Sequence, residues 1–190
     1  MRSPTRTIQR GFTLIELMVT IAVFALLLFL ALPNYRIWIQ NTQVRTAAEA
    51  ILNGIQLARA EAVRRNTSVQ FQLQAGTTWT VGCEPAVGDS NGDGVDDCPA
   101  VIQTRSTEEG GTTSATPVVT PGGATTVTFN GLGRVIPNSD ASPSITRVDM
   151  DSNTLPAADS RELRITIAPG GAVKMCDPQV TTAGDPRACP

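Results

Sequence analysis

The chain has 190 residues, with 15 Lys and Arg against 17 Asp and Glu and a formal charge of −2. That length suits one membrane helix and one soluble domain. There is no His and no Gly-x-Ser-x-Gly, phosphate-loop or dinucleotide fingerprint, so the commonest general base and the usual nucleotide cradles are missing. The composition points away from an enzyme, and the acidic balance offers no electrostatic footprint for nucleic acid.

The first residues are basic. Arg2, Arg6 and Arg10 precede Gly11 with no acidic residue among them, a bias that keeps this end on the cytoplasmic side of a membrane. Phe12 to Leu32 follows as an apolar run in which Glu16 is the only ionisable side chain. A helix rising 1.5 Å per residue crosses the hydrocarbon core in about 20 residues, so the run is of spanning length. A carboxylate there costs at least a few kcal/mol and implies a partner and a task. A cleaved secretory signal or a plain signal anchor are the alternatives. A conventional signal is cut after its apolar core at small residues, and Ala22, Ala25 and Ala31 lie inside or after this one. Neither alternative asks for Gly-Phe at the boundary or for Glu16.

Pro33 follows the run, and a proline inside a helix removes a backbone bond and kinks the axis. Tyr35, Arg36 and Trp38 then fit an aromatic and cationic belt at a membrane interface. We read helix from about Phe12 to about Arg65, bent near Pro33. Its second half is amphipathic, with Val44, Ala47, Ala48, Ile51, Ile55, Ala58 and Ala62 at three- and four-residue spacing. This stripe is expected to pack on a sheet, with Gly54 a flaw of about 1 kcal/mol relative to Ala. Glu61 and Arg65 form a favourable i, i+4 pair.

From Thr67 the period changes to two. Val69, Phe71 and Leu73 alternate with polar residues, then Ala75-Gly76-Thr77 turns the chain into a strand carrying Trp79 and Val81. Further strands are expected at Ala100–Arg105, Thr125–Asn130, Arg134–Ile136, Ile145–Met150, Leu163–Ala168 and Ala172–Cys176. Loops are expected at Ser106–Thr116 and Pro137–Pro143. A long helix followed only by strands predicts an α+β fold, with an antiparallel sheet wrapped on the helix.

Gly11-Phe12-Thr13-Leu14-Ile15-Glu16, behind its basic leader, resembles the class III signal of type IV pilins and type II secretion pseudopilins. The resemblance implies a prepilin peptidase that cuts between Gly11 and Phe12 and methylates the new amine, leaving the helix on the mature protein. It divides the chain into a leader (1–11), a transmembrane assembly helix (12–32), an amphipathic half-helix (33–66) and a periplasmic head (67–190). Glu16 lies four residues after Phe12, on the same helix face. An ammonium and a carboxylate in a bilayer reduce each other's desolvation cost by pairing. The resemblance implies that Glu16 pairs with the Phe12 amine of a neighbouring subunit.

The head narrows the likeness. Ala58-Arg59-Ala60-Glu61-Ala62, the strand pair after it, an Asp/Asn/Gly-rich loop and the run Thr128 to Val135 resemble the GspH/FimT family of minor pilins and pseudopilins. The ending, Met175 to Pro178 and Asp185 to Pro190, resembles its FimT-type branch. The fold implied is the type IV pilin fold. The partners implied are other pilins, the prepilin peptidase and an inner-membrane assembly platform. The location implied is single-pass in the bacterial inner membrane with the head in the periplasm, and later the pilus. A minor pilin in a priming or tip complex is the favoured function, with a type II secretion pseudopilin or a DNA-uptake receptor at a pilus tip as alternatives.

Cys83, Cys98, Cys176 and Cys189 all lie in the head, and the periplasm oxidises thiols. Four cysteines allow three pairings. Cys83–Cys98 and Cys176–Cys189 are favoured because each pair brackets one loop between strand ends. With no Cys-x-x-Cys and no His, a zinc site is not expected. Asp89, Asn91, Asp93 and Asp97 begin like a calcium loop, with Gly94 at its sharp turn and Val95 offering its carbonyl, but Ala100 stands where the bidentate Glu belongs. A solvated turn is the favoured reading, a weak Ca2+ site the alternative, and no cofactor is expected. Lys174 and Arg187 are candidate DNA contacts, but Gly170 to Lys174 lacks the Gly-Arg-x-Arg pattern of DNA-binding FimT-type proteins, and Asp177 and Asp185 oppose them.

Overall fold

The computed structural model describes residues 12–90, 92, 94, 96–107, 114–182 and 184–189, with the side chains of 30–33 left out. The chain divides into two units, one ending at Trp38 and the other beginning at Ile39, and each is described by itself. The helix α1 runs Leu14–Arg65 and starts two residues later than its apolar pattern suggests, because Thr13 caps it. The Thr13 hydroxyl accepts the Glu16 N–H at 3.2 Å and its carbonyl accepts the Leu17 N–H at 3.1 Å, satisfying donors that a helix start leaves open.

Nine strands follow α1 among the described residues: β1 (Val69–Leu73), β2 (Trp79–Cys83), β3 (Gln103–Arg105), β4 (Ala115–Thr120), β5 (Thr126–Phe129), β6 (Val135–Ile136), β7 (Arg147–Ser152), β8 (Leu163–Ile167) and β9 (Val173–Cys176). They form two antiparallel sheets where one was expected, in the orders β3-β2-β1-β5-β6 and β4-β7-β8-β9. Strand β4 falls where the sequence reads partly as loop. Its Pro117 disqualifies it as a central strand, but β4 is an edge. Register on β7 (Thr116 opposite Asp151, Thr120 opposite Arg147) and the Asn153 N–H bond to the Ser114 carbonyl turn residues 115, 117 and 119 toward the open side. A proline there removes no ladder hydrogen bond.

The buried stripe of α1, Val44, Ala47, Ala48, Ile51, Ile55, Ala58 and Ala62, is fully inaccessible and belongs to one core with Phe71, Phe129, Val148, Met150 and Ile165. Gly54 is a requirement of this packing and not a flaw. A Cβ there would stand 2.8 Å from the Phe71 ring and 2.9 Å from the Trp79 ring, distances at which something must shift. Those rings stack obliquely, 5.9 Å between centroids. Near the start of this unit Asn41 holds the β7–β8 connection: its amide donates to the Asp159 carbonyl and its oxygen accepts the Arg161 N–H, both at 2.8 Å.

Candidate functional site

Two places carry the residues singled out by sequence: the N-terminal segment and the loops of the head. In the segment, every large apolar side chain from Leu14 to Phe29 is at least 46% exposed. A helix apolar on all sides needs lipid or other helices around it. Glu16 sits in the first turn, exposed, with Phe12 just outside the helix. Threonine at the cap with glutamate three residues on is the spacing of a capping box, a signal present in the sequence that hydrophobic periodicity alone passes over. Gly11 lies outside the described residues. The backbone is helical through Pro33, whose side chain is not described. Among the described residues no single helix is long and apolar enough to cross a membrane; Leu14–Phe29 and Asn34–Arg65 meet that test only as a bent pair. Tyr35 and Trp38 stack with 6.0 Å between ring centroids and stay more than half exposed.

In the head, disulfides join Cys83 to Cys98 and Cys176 to Cys189. The first closes the Asp-rich loop, which the helix also holds. Arg65 donates through Nη1 to the Asp97 carbonyl while its Nε bonds Glu61 at 2.8 Å. Glu61 also takes the Arg64 guanidinium at 2.6 Å, and the hydrogen bonds from Arg64 and Arg65 hold its carboxyl below the usual range. Within the loop the Asp89 carboxylate accepts the N–H groups of Gly92 and Gly94 at 2.6 and 2.7 Å. Asp97 accepts the backbone and hydroxyl of Ser90. Both glycines have positive φ, as tight turns require. Asn91, Asp93 and Val95 lie outside the described residues. Among those described, no three His, Cys, Asp or Glu gather as a metal site would require.

The tail returns to the strand that precedes it. The Asp177 N–H donates to the Arg187 carbonyl at 2.7 Å, and Asp177 pairs with Ala188 in a parallel bridge. Arg187 is held by Asp185, Nη2 to Oδ2 at 2.8 Å, and the hydrogen bonds from Arg187 lower the Asp185 pKa to about 2. Arg187 is thus committed to a local anion. Lys174 stands exposed in β9 opposite Thr166. Of the strand-borne arginines, Arg147 and Arg164 share Asp149, at 2.9 and 2.5 Å. Two guanidiniums thus share one carboxylate on the outer face of β7 and β8.

Residues 6–32 match the prokaryotic N-terminal methylation motif, and residues 47–171, about two-thirds of the chain, match the family described as Type II transport protein GspH. The chain is also similar to the type IV minor pilin FimU of Pseudomonas aeruginosa in two crystal forms. The identity is 18% in both, with TM-scores of 0.47 and 0.45. The matches cover 74% and 73% of this chain and 96% and 99% of those. The chain belongs to the GspH family and, with its N-terminal methylation motif, is a pilin-like structural subunit.

Proposed function

We propose that this protein is a minor pilin of a type IV pilus, stored in the inner membrane with its head in the periplasm, cut between Gly11 and Phe12 by a prepilin peptidase, and assembled through its N-terminal helix at the priming or tip complex. The observation that carries the reading is the segment Leu14 to Phe29, whose large apolar side chains are all at least 46% exposed, with Glu16 as its lone ionisable group. In lipid these side chains are solvated and Glu16 is strained; beside other such helices they stay covered, and Glu16 gains the cationic amine of a neighbour. Exchange of lipid for subunits is therefore coupled to charge pairing, which also fixes axial register. The chain acts as a peptidase substrate and a building block, not as a catalyst.

The family's description favours one second reading, a subunit of a type II secretion machine, which would use the same storage and assembly chemistry. Deletion scored for piliation and for secretion separates the two. Loss of pili with secretion intact supports the pilus, and the reverse supports the secretion machine. For the shared mechanism, intact-mass analysis of membrane-extracted protein should give an N-terminus at Phe12 carrying about 14 Da of added methyl. Glu16→Leu should still insert, because insertion follows total apolarity, but should vanish from sheared filaments. Normal recovery of Glu16→Leu in filaments would remove the recruiting role.

A further inference from the structure

Strand β9 ends its sheet, and its outer side is open over a short length. Its register on β8 (Thr166 opposite Lys174, Ile167 opposite Val173), the Ala168 N–H bond to the Ala172 carbonyl and the Ile167 N–H bond to the Thr146 carbonyl fix which groups point where. In an antiparallel ladder these alternate, so Val173 and Met175 turn their N–H and C=O groups away from β8. Asp177, next in the same phase, already uses that side: it is the residue that pairs with Ala188 of the tail. At the other end the edge is stopped where a Cβ on Gly171 would stand 1.7 Å from the Gly133 carbonyl oxygen. Between these stops lies a window from Val173 to Met175.

Beside it runs a groove of about 550 Å³ lined by Gln56, Arg59, Ala60, Val63 and Arg64 of α1 and by Val173. Val63 is 52% exposed in it, and none of the six lining residues is acidic. The opposite edge of the same sheet has a comparable groove of about 600 Å³, but there Pro117 occupies an outward-pointing position and breaks any added ladder. Among the described residues the β9 edge carries no such block between Val173 and Met175.

We propose that the β9 edge takes an added strand from another polypeptide: a short extended segment with a carboxylate opposite Lys174 and aliphatic residues on either side of it. The main chain of the segment pairs with Val173 and Met175. Its aliphatic side chains, one face away from the carboxylate, fall toward Ala60 and Val63, and its charge meets Lys174 on the outer face. A second copy of this chain is the wrong occupant. Symmetric antiparallel pairing across so short a window centres on Lys174 and sets two ammonium groups directly opposite, which is destabilising. The groove and the β9 edge both belong to the unit that begins at Ile39, and the inference stands whichever filament the chain serves.

The test is amide NMR on the ¹⁵N-labelled full-length chain in detergent micelles, titrated with acetyl-Thr-Val-Glu-Val-Thr-amide and with its Glu-to-Lys counterpart. The Glu peptide should shift and protect the amides of Val173 and Met175 and shift the groove residues of α1. It should bind roughly threefold or more tighter than the Lys peptide, as expected for opposite against like cross-strand charges. Lys174→Glu, an exposed change that leaves the ladder intact, should reverse the preference, and Val173→Pro should abolish binding by deleting an outward N–H. The proposal is overturned by equal affinity of the two peptides in both proteins, by shifts away from this edge, by no binding at millimolar peptide, or by self-association of the wild-type chain through β9.

Discussion

Between Leu14 and Phe29 the large apolar side chains of α1 are all at least 46% exposed, whereas Val44, Ile51 and Ile55 on the same helix are fully buried. Composition explains the difference. The earlier segment is apolar all round, so no single face can be turned inward; the later one gathers most of its apolar residues in a stripe and places Arg45, Glu49 and Arg64 elsewhere. The stripe of small residues, Ala47, Ala48, Ala58 and Ala62, lets the sheets approach closely, and Gly54 lets two aromatic rings do so. The later half is covered within its own unit, while the large apolar side chains of the earlier half stay exposed around a single carboxylate, Glu16.

If that division is right, equal truncations in the two regions have unequal effects. Phe71→Ala empties a fully buried site and should cost about 3–5 kcal/mol in urea denaturation of the detergent-solubilised chain. Phe24→Ala, at a side chain 63% exposed, should leave that transition unmoved while weakening recovery in filaments. A comparable loss of head stability from Phe24→Ala would break the division.

The disulfides sharpen it next. Cys83–Cys98 and Cys176–Cys189 close loops with sequence separations of 15 and 13, each worth about 3 kcal/mol through restriction of the unfolded chain. Cys83→Ser with Cys98→Ser should lower head stability by about that amount. It should also loosen the loop that Arg65 grips. Insertion of the apolar segment, which carries no cysteine, should not change. Protease mapping of membranes checks both, and a defect in insertion would tie together regions held here to be independent.

A smaller effect has an unexpected sign. On helix propensity alone Gly54→Ala gains about 1 kcal/mol. Against that, the new Cβ lands 2.8 Å from Phe71 and 2.9 Å from Trp79, and overpacking costs about 1–3 kcal/mol. Gly54→Ala should therefore destabilise by about 1 kcal/mol net, read as a lower denaturation midpoint. A stabilised variant would show that the rings give way freely.

Gly54 also marks where the sequence stops being informative. Periodicity found every buried hydrophobic position on α1 except Ala50, because burial there repeats with the helix. It assigned Gly54 a cost because the rings that need the space come from β1 and β2, and no local pattern reports them. Thr13 was legible as a capping-box threonine but lay beneath the stronger hydrophobic signal. Pro117 hid β4, since proline argues against a strand until the strand is known to be an edge, and edges are defined by tertiary pairing. The division into two sheets was hidden for the same reason. At the candidate sites, charge and spacing singled out Glu16, whereas the partners of Arg187, Arg147 and Arg164 emerge only when strands and tail are brought together.

The tail provides the finest test, because it holds by exposed charge and not by burial. Asp185 accepts hydrogen bonds from the side chain and backbone of Arg187 and its pKa falls to about 2. Glu61, bonded by Arg64 and Arg65, is also lowered. A carboxyl depressed in the folded state adds stability that is fully present above its unfolded value, about 3.9 for Asp, and is lost as pH falls through the folded one. The head should therefore hold its stability from neutral pH down to about 4 and weaken between roughly 4 and 2. Carboxyl-carbon NMR on the full chain should show Asp185 titrating near the bottom of that window. Asp185→Asn should remove its share of the slope with both disulfides still formed, and the effect should shrink in high salt because the pair is exposed. Titration of Asp185 near 4 would mean that Arg187 is not held. It would then be an uncommitted cation where the tail closes the Asp177 end of β9, and the preference of that edge for an acidic strand should rise accordingly.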